Sequence, residues 1–240
     1  MTYDIVEHQP HFIVVDNFLN QEDVRKIYHY LRGRRFEYVH SKRKIQAFKI
    51  TDGHPLWSDP VLSHSWEKNT LYPTYPVGTD LDLIIKKIMD FAKAYESIIG
   101  RHEEDWIHFF IRPYLYPAGT GLNWHKDGKY RAAGAFVYYA HPEWKPDWGG
   151  ELLMSDTYSY DTTEENSDTE IDLRRSDWGN TRQEELIQQR GVGHYILPKP
   201  NRFVLMKGMN FHTIKKVDQS AGANLRMTLQ GFFQSPIKDE

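Results

Sequence analysis

His125 and Asp127 stand one residue apart in the stretch GLNWHKDGKY. On a strand, residues i and i+2 share a face. The pair would then present an imidazole and a carboxylate side by side, with Trp124 and Lys126 turned the other way. Two ligands hold a metal weakly, so a third is needed. Two histidines and one carboxylate on one face, with open positions, suit an Fe(II) that must also bind O2. A closed site, or one with three histidines, would suit zinc. The pair alone decides little. The chain has 12 histidines and is 26% charged, and it holds two more His-x-acid pairs, His102-x-Glu104 and His141-x-Glu143. His102 lies past a predicted helix end in the charged loop GRHEEDW, and His141 precedes Pro142, which ends a strand. Neither setting aims both side chains inward.

A third candidate ligand is His212, in MNFHTIKKV, where a late strand opens among apolar neighbours. Taken alone it reads as a core or surface histidine. Fourteen residues on, Arg226 lies inside the apolar run LRMTLQGFF, with Thr228 at i+2 on the same face. A buried arginine is costly unless it meets an anion. A guanidinium fork with a neighbouring hydroxyl is a receptor for a carboxylate. Taken alone, Arg226 reads as an internal ion pair or an edge arginine reaching solvent. Beside a His-Asp-His set, an anionic co-substrate is the better reading.

The elements that must position these residues change character along the chain. The segment FIVVDNFL (12–19) reads as a buried strand or extended entry. Asn20 can cap a helix that carries Asp23 in its first turn, keeps Val24, Ile27, Tyr28 and Leu31 on one face, and ends at Gly33. Residues 34–78 read as strands and loops without a register. A long helix is predicted over TDLDLIIKKIMDFAKAYESIIG, with Thr79 as cap, Asp82 three residues on, and Gly100 at its end. After residue 105 the pattern is one of short β-branched and aromatic strands: WIHFFIRPYLY, AGAFVYYA, GGELLMS, RFVLMK, FHTIKK and LRMTLQGFF. Helices first and strands later imply an α+β fold, a sandwich or jelly-roll barrel with helices against one face. Residues 156–193, acidic first and basic later with a short helical stretch, are longer than a simple connection and read as a solvated insertion or a substrate lid.

Composition narrows the alternatives. A chain of 240 residues can bury one sizeable core, and no repeat or clean linker divides it. The net charge of -3 gives no global sign of nucleic acid or membrane binding. The chain has no cysteine, which excludes disulfides, thiolate zinc sites and cysteine nucleophiles. No signal-like N-terminus and no membrane-length apolar run are present in the sequence, so a cytoplasmic protein is expected.

Several motifs together resemble the Fe(II)/2-oxoglutarate-dependent dioxygenases, in their prolyl-4-hydroxylase-like branch. YPAGTGLNWHKD resembles the family's run of Tyr, Pro, Gly and His-x-Asp; RAAGAFVYYA, WGGELLM, PKPNRFVLMKGMNFHTI and LRMT resemble the strands that follow in order. The likeness covers about residues 105–234. It implies a double-stranded β-helix, a jelly-roll or cupin-like barrel, with supporting N-terminal helices. The expected organisation is one domain over 1–240, with helical support over about 1–104, the barrel over about 105–234 and the lid-like insertion over about 156–193. The resemblance also implies His125, Asp127 and His212 as catalytic iron ligands, Arg226 with Thr228 as the 2-oxoglutarate anchor, and Tyr116 as a further co-substrate contact. Two departures from the family are the long insertion and Arg226 where prolyl hydroxylases often carry lysine.

The implied activity is oxygenation with Fe(II), 2-oxoglutarate and O2 as cofactors, hydroxylating an unactivated C–H bond. Retention of Asp127 fits hydroxylation, since related halogenases replace this carboxylate by a small residue. The expected substrate is a polar small molecule, such as an amino acid derivative or natural-product intermediate, with a peptidyl proline as the competitor. Arg131, Trp144, Trp148, Tyr158 and Trp178 are candidate substrate contacts near the barrel mouth, and Lys126 and Lys129 lie beside the ligands. The insertion could instead be a homodimer contact. A different class remains open at this stage: a non-catalytic or 2-oxoglutarate-independent cupin-like metal-binding module.

Overall fold

Alternating side chains build two cores on the two faces of one sheet. In the computed structural model, which describes residues 3–41, 48, 50–64, 71–127, 132–158 and 181–236, the chain opens with a hairpin of β1 (Asp4–Gln9) and β2 (Phe12–Asp16), followed by α1 (Gln21–Arg32). Three two-residue strands come next: β3 (Glu37–Tyr38), β4 (Leu56–Trp57) and β5 (Val61–Leu62). Helices α2 (Leu81–Ala94) and α3 (Glu96–Ile99) precede the run of longer strands, β6 (His108–Tyr116), β7 (Leu122–His125), β8 (Ala132–Tyr139) and β9 (Leu152–Tyr158). Then come α4 (Thr181–Arg190), β10 (Gly193–Ile196), β11 (Phe203–Lys207), β12 (Asn210–Ile214) and β13 (Arg226–Gln234).

The large sheet runs β1-β2-β11-β8-β13-β6-β4-β3 with β5 paired to β6, and the small sheet runs β10-β9-β12-β7. All strand pairings are antiparallel among the described residues. On β11, Phe203 and Leu205 join the core beneath the helices, while Val204 and Met206 join Leu152, Met154 and Ile196 of the small sheet. Two sheets packed face to face in this way form the expected double-stranded β-helix. The helices cover the outer face of the large sheet: Ile27, Leu31, Ile84, Ile85, Ile88 and Phe91 are all buried there. Phe18 stacks on Phe203 at 4.3 Å and 10°, a contact worth about 0.5–1.5 kcal/mol beyond its buried area.

Helix α1 forms as its sequence predicts. Asn20 accepts a hydrogen bond from the Asp23 amide at 2.9 Å, and Gly33 follows the last turn. The second helix departs from expectation. Asp80, not Thr79, occupies the cap position, without a side-chain cap bond. Asp82 instead accepts from the amides of Val77 and Gly78 and ties down the chain before the helix. The helix also breaks at Tyr95, so that α3 is a separate turn that ends at Gly100, φ +83. At the insertion, β9 extends to Tyr158, and α4 and β10 close it onto the small sheet. Residues 159–180, with Trp178, lie outside the described residues, as do Lys129 and Arg131. No helix among the described residues is long and apolar enough to cross a membrane.

Candidate active site

His125 closes β7, and His212 lies directly across from it on β12. The pairing of β12 shifts register on both sides of His212, between Asn210 and His212 against β9 and between His212 and Ile214 against β7. Such irregularities re-aim a side chain. The two rings come to 4.1 Å between centroids at 55°. Asp127 follows two residues after His125, just past the end of β7, and its amide donates to the Gly208 carbonyl in the β11–β12 turn at 2.8 Å. Its Oδ1 lies 3.7 Å from His125 Nε2 and its Oδ2 3.4 Å from His212 Nε2. One ligand atom from each of the three residues falls within 4.8 Å of the others.

Backbone carbonyls fix both imidazoles in the same way. His125 Nδ1 meets the Asn123 carbonyl at 2.7 Å, and His212 Nδ1 meets the Asn210 carbonyl at 2.9 Å. A carbonyl only accepts, so each Nδ1 carries the proton and each Nε2 presents its lone pair to the cluster. β7 is held in turn by Asp52, which is 1% exposed and accepts from the Asn123 amide at 2.9 Å. Burial pushes the Asp127 carboxyl above its ordinary value, and the neighbouring His212 opposes that shift. His125 is the more open side of the group, with Asp127 and His212 buried behind it. The other two His-x-acid pairs assemble nothing of this kind. His102 Nδ1 lies 3.8 Å from the exposed Glu103. His141 is buried, with Nε2 at 2.6 Å from the Pro198 carbonyl.

Arg226 opens β13, opposite Tyr116 of β6, and is fully buried. Its Nε donates to the Gly150 carbonyl at 2.7 Å and its Nη2 to the Tyr139 hydroxyl at 3.5 Å. The guanidinium sits over the rings of Tyr116 at 5.2 Å and Tyr139 at 5.0 Å. Nη1 has no hydrogen-bond partner, and neither has the hydroxyl of the fully buried Tyr116. Among the described residues no carboxylate lies within ion-pair distance of Arg226. An internal ion pair is therefore not what keeps it there. Thr228, also fully buried, accepts from Gln230 Nε2 at 2.8 Å, which leaves its own O–H to donate elsewhere. Burial raises the Tyr116 phenol well above its ordinary value and so keeps it protonated, a donor.

The glycine pair of WGGELLM serves Arg226. Gly150 has φ +73, and a Cβ there would stand 2.8 Å from Arg226 Cδ. Trp144 donates to the Gly149 carbonyl at 2.9 Å and meets Trp148 edge-on at 5.3 Å. Trp148 is buried among Tyr116, Leu122, Ile214 and Val217. These two tryptophans brace the turn beneath Arg226. Lys126 extends over the Phe211 ring at 5.7 Å. Sequence reasoning missed Tyr139, Asp52 and the two carbonyls that hold the imidazoles. Tyr139 carried a faint signal, since β8 alternates inward through Val137 and Tyr139.

A second group of like composition lies two strands away on the small sheet, where His194 of β10 and His212 of β12 both pair with Met154 of β9. His11, in the β1–β2 turn, Asp156 of β9 and His194 of β10 also bring ligand atoms within 4.8 Å of one another. Here His194 Nε2 lies 3.1 Å from Asp156 Oδ1, and Arg190 Nη2 lies 3.9 Å from Oδ2. A groove lined by Asn123, Trp124, Leu153 and Thr213 opens on the outer face of the small sheet. Trp124, Leu153 and Thr213 alternate with His125, Met154 and His212 along their strands, so these side chains face away from the site.

The donor set, two neutral imidazoles and one carboxylate with one side open, fits Fe(II). The orphaned Nη1 of Arg226 fits a carboxylate. Comparison with solved structures places the chain beside enzymes that share this architecture. A prolyl-4-hydroxylase from Pseudomonas putida superposes with a TM-score of 0.59 at 18% identity, covering 93% of each chain. A prolyl hydroxylase from Trichoplax adhaerens, in complex with a hypoxia inducible factor oxygen degradation domain peptide fragment, gives 0.54 at 15% identity over 95% of this chain and 84% of that one. The epimerase SnoN, in complex with Fe3+, alpha ketoglutarate and nogalamycin RO, gives 0.55 at 9% identity over 94% and 79%. At these identities the likeness is one of fold. No curated protein matches the chain. A family model does: that of the 2OG-Fe(II) oxygenase superfamily matches residues 111–234, more than half of the 240. That span holds the whole His-Asp-His group and Arg226, and the chain belongs to the 2OG-Fe(II) oxygenase superfamily, whose members use Fe(II), 2-oxoglutarate and O2.

Proposed function

We propose that this protein is a hydroxylase in which His125, Asp127 and His212 hold Fe(II), and Arg226, Thr228 and Tyr116 hold 2-oxoglutarate. The observation that carries the reading is Arg226: a fully buried guanidinium with an unpartnered Nη1 and no described carboxylate beside it, in the same barrel as a preoriented His-Asp-His group. When bound, the metal and co-substrate supply oxidative chemistry strong enough for an unactivated C–H bond. The chain supplies position. The Asn123 and Asn210 carbonyls hold both imidazoles in the tautomer that offers Nε2. Arg226 offers Nη1–H to the far carboxylate of the co-substrate. The Thr228 hydroxyl and the protonated Tyr116 phenol supply two further donors. Tyr116 and Tyr139 flank the guanidinium and exclude water from it. We read residues 1–240 as a single domain and the substrate as a polar small molecule. A peptidyl proline is the second reading, favoured by the likeness in fold to two prolyl hydroxylases.

The test begins without turnover. Anaerobic addition of Fe(II) and 2-oxoglutarate to the protein should produce a weak visible charge-transfer band that is absent in His212→Ala. A folded protein that gives no band would refute the assignment. Succinate release, screened over amino acids, nucleosides and proline peptides with mass detection of an added oxygen, then separates the two substrate readings.

A further inference from the structure

A second arginine with a buried, unpartnered nitrogen is left over by this reading. On β6, Phe109, Ile111 and Leu115 face the core beneath the helices. Phe110, Arg112, Tyr114 and Tyr116 alternate with them and face the barrel interior. Arg112 lies opposite Gln230 of β13, Tyr114 opposite Thr228, and Tyr116 opposite Arg226. The two arginines thus stand at opposite ends of one interior ladder. Four residues separate Arg112 from the Tyr116–Arg226 pair, about 13 Å at the rise of a strand. Tyr114 lies between them, and both the Arg112 guanidinium and the Asp127 carboxylate act on its phenol. Arg226 occupies the co-substrate end. Arg112 occupies the other.

The chemistry at Arg112 repeats that at Arg226. Its guanidinium carbon lies over the Trp57 ring, 4.2 Å from the centroid. Its Nε is buried and has no hydrogen-bond partner. Among the described residues no carboxylate is within ion-pair distance of it. A desolvated guanidinium N–H without a partner is costly, and a planar fork stacked on an indole is preorganised for a carboxylate. The residue as a whole is half-buried, so the charge is reachable from outside. Tyr114, whose phenol burial pushes above its ordinary value, stays protonated and adds a donor.

We propose that Arg112 is the specificity residue for the prime substrate and binds its carboxylate, with Trp57 as the stacking platform and Tyr114 as the second donor. The substrate is then a small molecule with a free carboxylate, such as an amino acid, hydroxylated at a carbon between that carboxylate and the metal-binding group. An internal proline of a peptide has no such charge. This rests on the co-substrate assignment above.

The experiment uses the full chain with Fe(II) and 2-oxoglutarate, and as probes the twenty free amino acids, their C-terminal amides, and an end-blocked proline tripeptide. Binding is read anaerobically as a shift of the charge-transfer band, and turnover as an added oxygen by mass. At least one free acid should shift the band and be oxygenated, with its amide at least about tenfold weaker, as expected for loss of a charge-assisted contact. Arg112→Met should raise the KM for that acid about tenfold or more while leaving the KM for 2-oxoglutarate and the band itself in place, and Arg112→Lys should recover part of the loss. The proposal is overturned if the amide or the blocked peptide matches the acid, if no free acid is bound, or if Arg112→Met leaves the acid's KM unchanged. Absence of the band in the unmutated protein would strike the iron and 2-oxoglutarate reading instead, which separates the two failures.

Discussion

Two groups of two histidines and one aspartate occupy this barrel, and they differ in what holds them. In His125, Asp127 and His212, each Nδ1 is fixed by a carbonyl two residues back on its own chain, and among the described residues the buried carboxylate pairs with no cation other than the two histidines. In His11, Asp156 and His194, the carboxylate already has a histidine at 3.1 Å and an arginine at 3.9 Å, and all three residues are only half-buried. The ligand types are the same. The difference is orientation and prior neutralisation: the first group is short of a positive charge, and the second has one. Convergence of metal-ligand residue types is therefore a weak criterion, and the groups behind the ligands decide.

The sharpest way to break this comparison is Asp127→Ala. Loss of even an outer partner of a metal ligand typically costs about 10–100-fold in affinity, so loss of the one carboxylate should weaken Fe(II) binding by more than about 100-fold and abolish succinate release. Anaerobic Fe(II) titration reads it. Retained stoichiometric iron would move the metal elsewhere, and His11, Asp156 and His194 would be the first place to look.

Next in size is Arg226→Met. Hydrogen bonds to charged groups contribute about 1.5–3 kcal/mol, so the KM for 2-oxoglutarate should rise on the order of 10–100-fold. The metal-free protein should be no less stable, because removing an unpaired buried charge is neutral or favourable. A thermal midpoint that falls by several degrees would mean that Gly150 and Tyr139 satisfy the guanidinium fully, and that it serves the fold and not a ligand.

His141 supplies a third setting, a buried histidine held by a backbone carbonyl outside either group. Burial holds its pKa down to about 3 from an ordinary 6.5, with Arg226 nearby adding to the shift. The unfolded chain binds a proton at this residue below about 6.5 and the folded chain does not until about 3. Its contribution to stability is thus complete above 6.5 and is lost as pH falls toward 3. His141→Gln keeps a donor for the Pro198 carbonyl and removes the titration. The drop in urea midpoint between pH 7 and pH 4.5 should be smaller in this variant than in the unmutated chain. An equal drop would assign that acid sensitivity to other groups.

The sequence made the large features legible for a simple reason: strand and helix periodicity reports one buried face at a time. LRMTLQGFF shows it toward its end, while FIVVD and RFVLMK, buried on both faces, are legible as unbroken apolar runs, and each is a strand. The site was legible where chemistry is unusual for its surroundings, as with Arg226 in an apolar run. Arg112 was just as unusual, but Pro113 and a string of aromatics around it gave no sign of which face it shared with Tyr114 and Tyr116 until the register with β13 was known. The short strands β3 to β5 depend on pairing with β6 and have little pattern of their own. Thr79 looked like a cap because a hydroxyl and an acid three residues on satisfy the local rule. The preceding turn competed for Asp82 and won it. Backbone carbonyls, which hold both imidazoles, are the same at every residue and leave no trace in the sequence.

The smallest expected effect is also the one that tests the comparison from the other side. Asp156→Ala removes the carboxylate shared by His194 and Arg190. If orientation and prior neutralisation are what distinguish the groups, Fe(II) affinity and stoichiometry should stay within about twofold, and stability should fall by no more than the 0–1 kcal/mol typical of exposed ion pairs. Added salt should mimic the variant, because a half-exposed pair is screened. The same titration in Asp127→Ala and Asp156→Ala, run side by side, then gives one large loss and one null. Two equal losses would show that both groups bind metal, and that the arginine beside Asp156 swings away when it does.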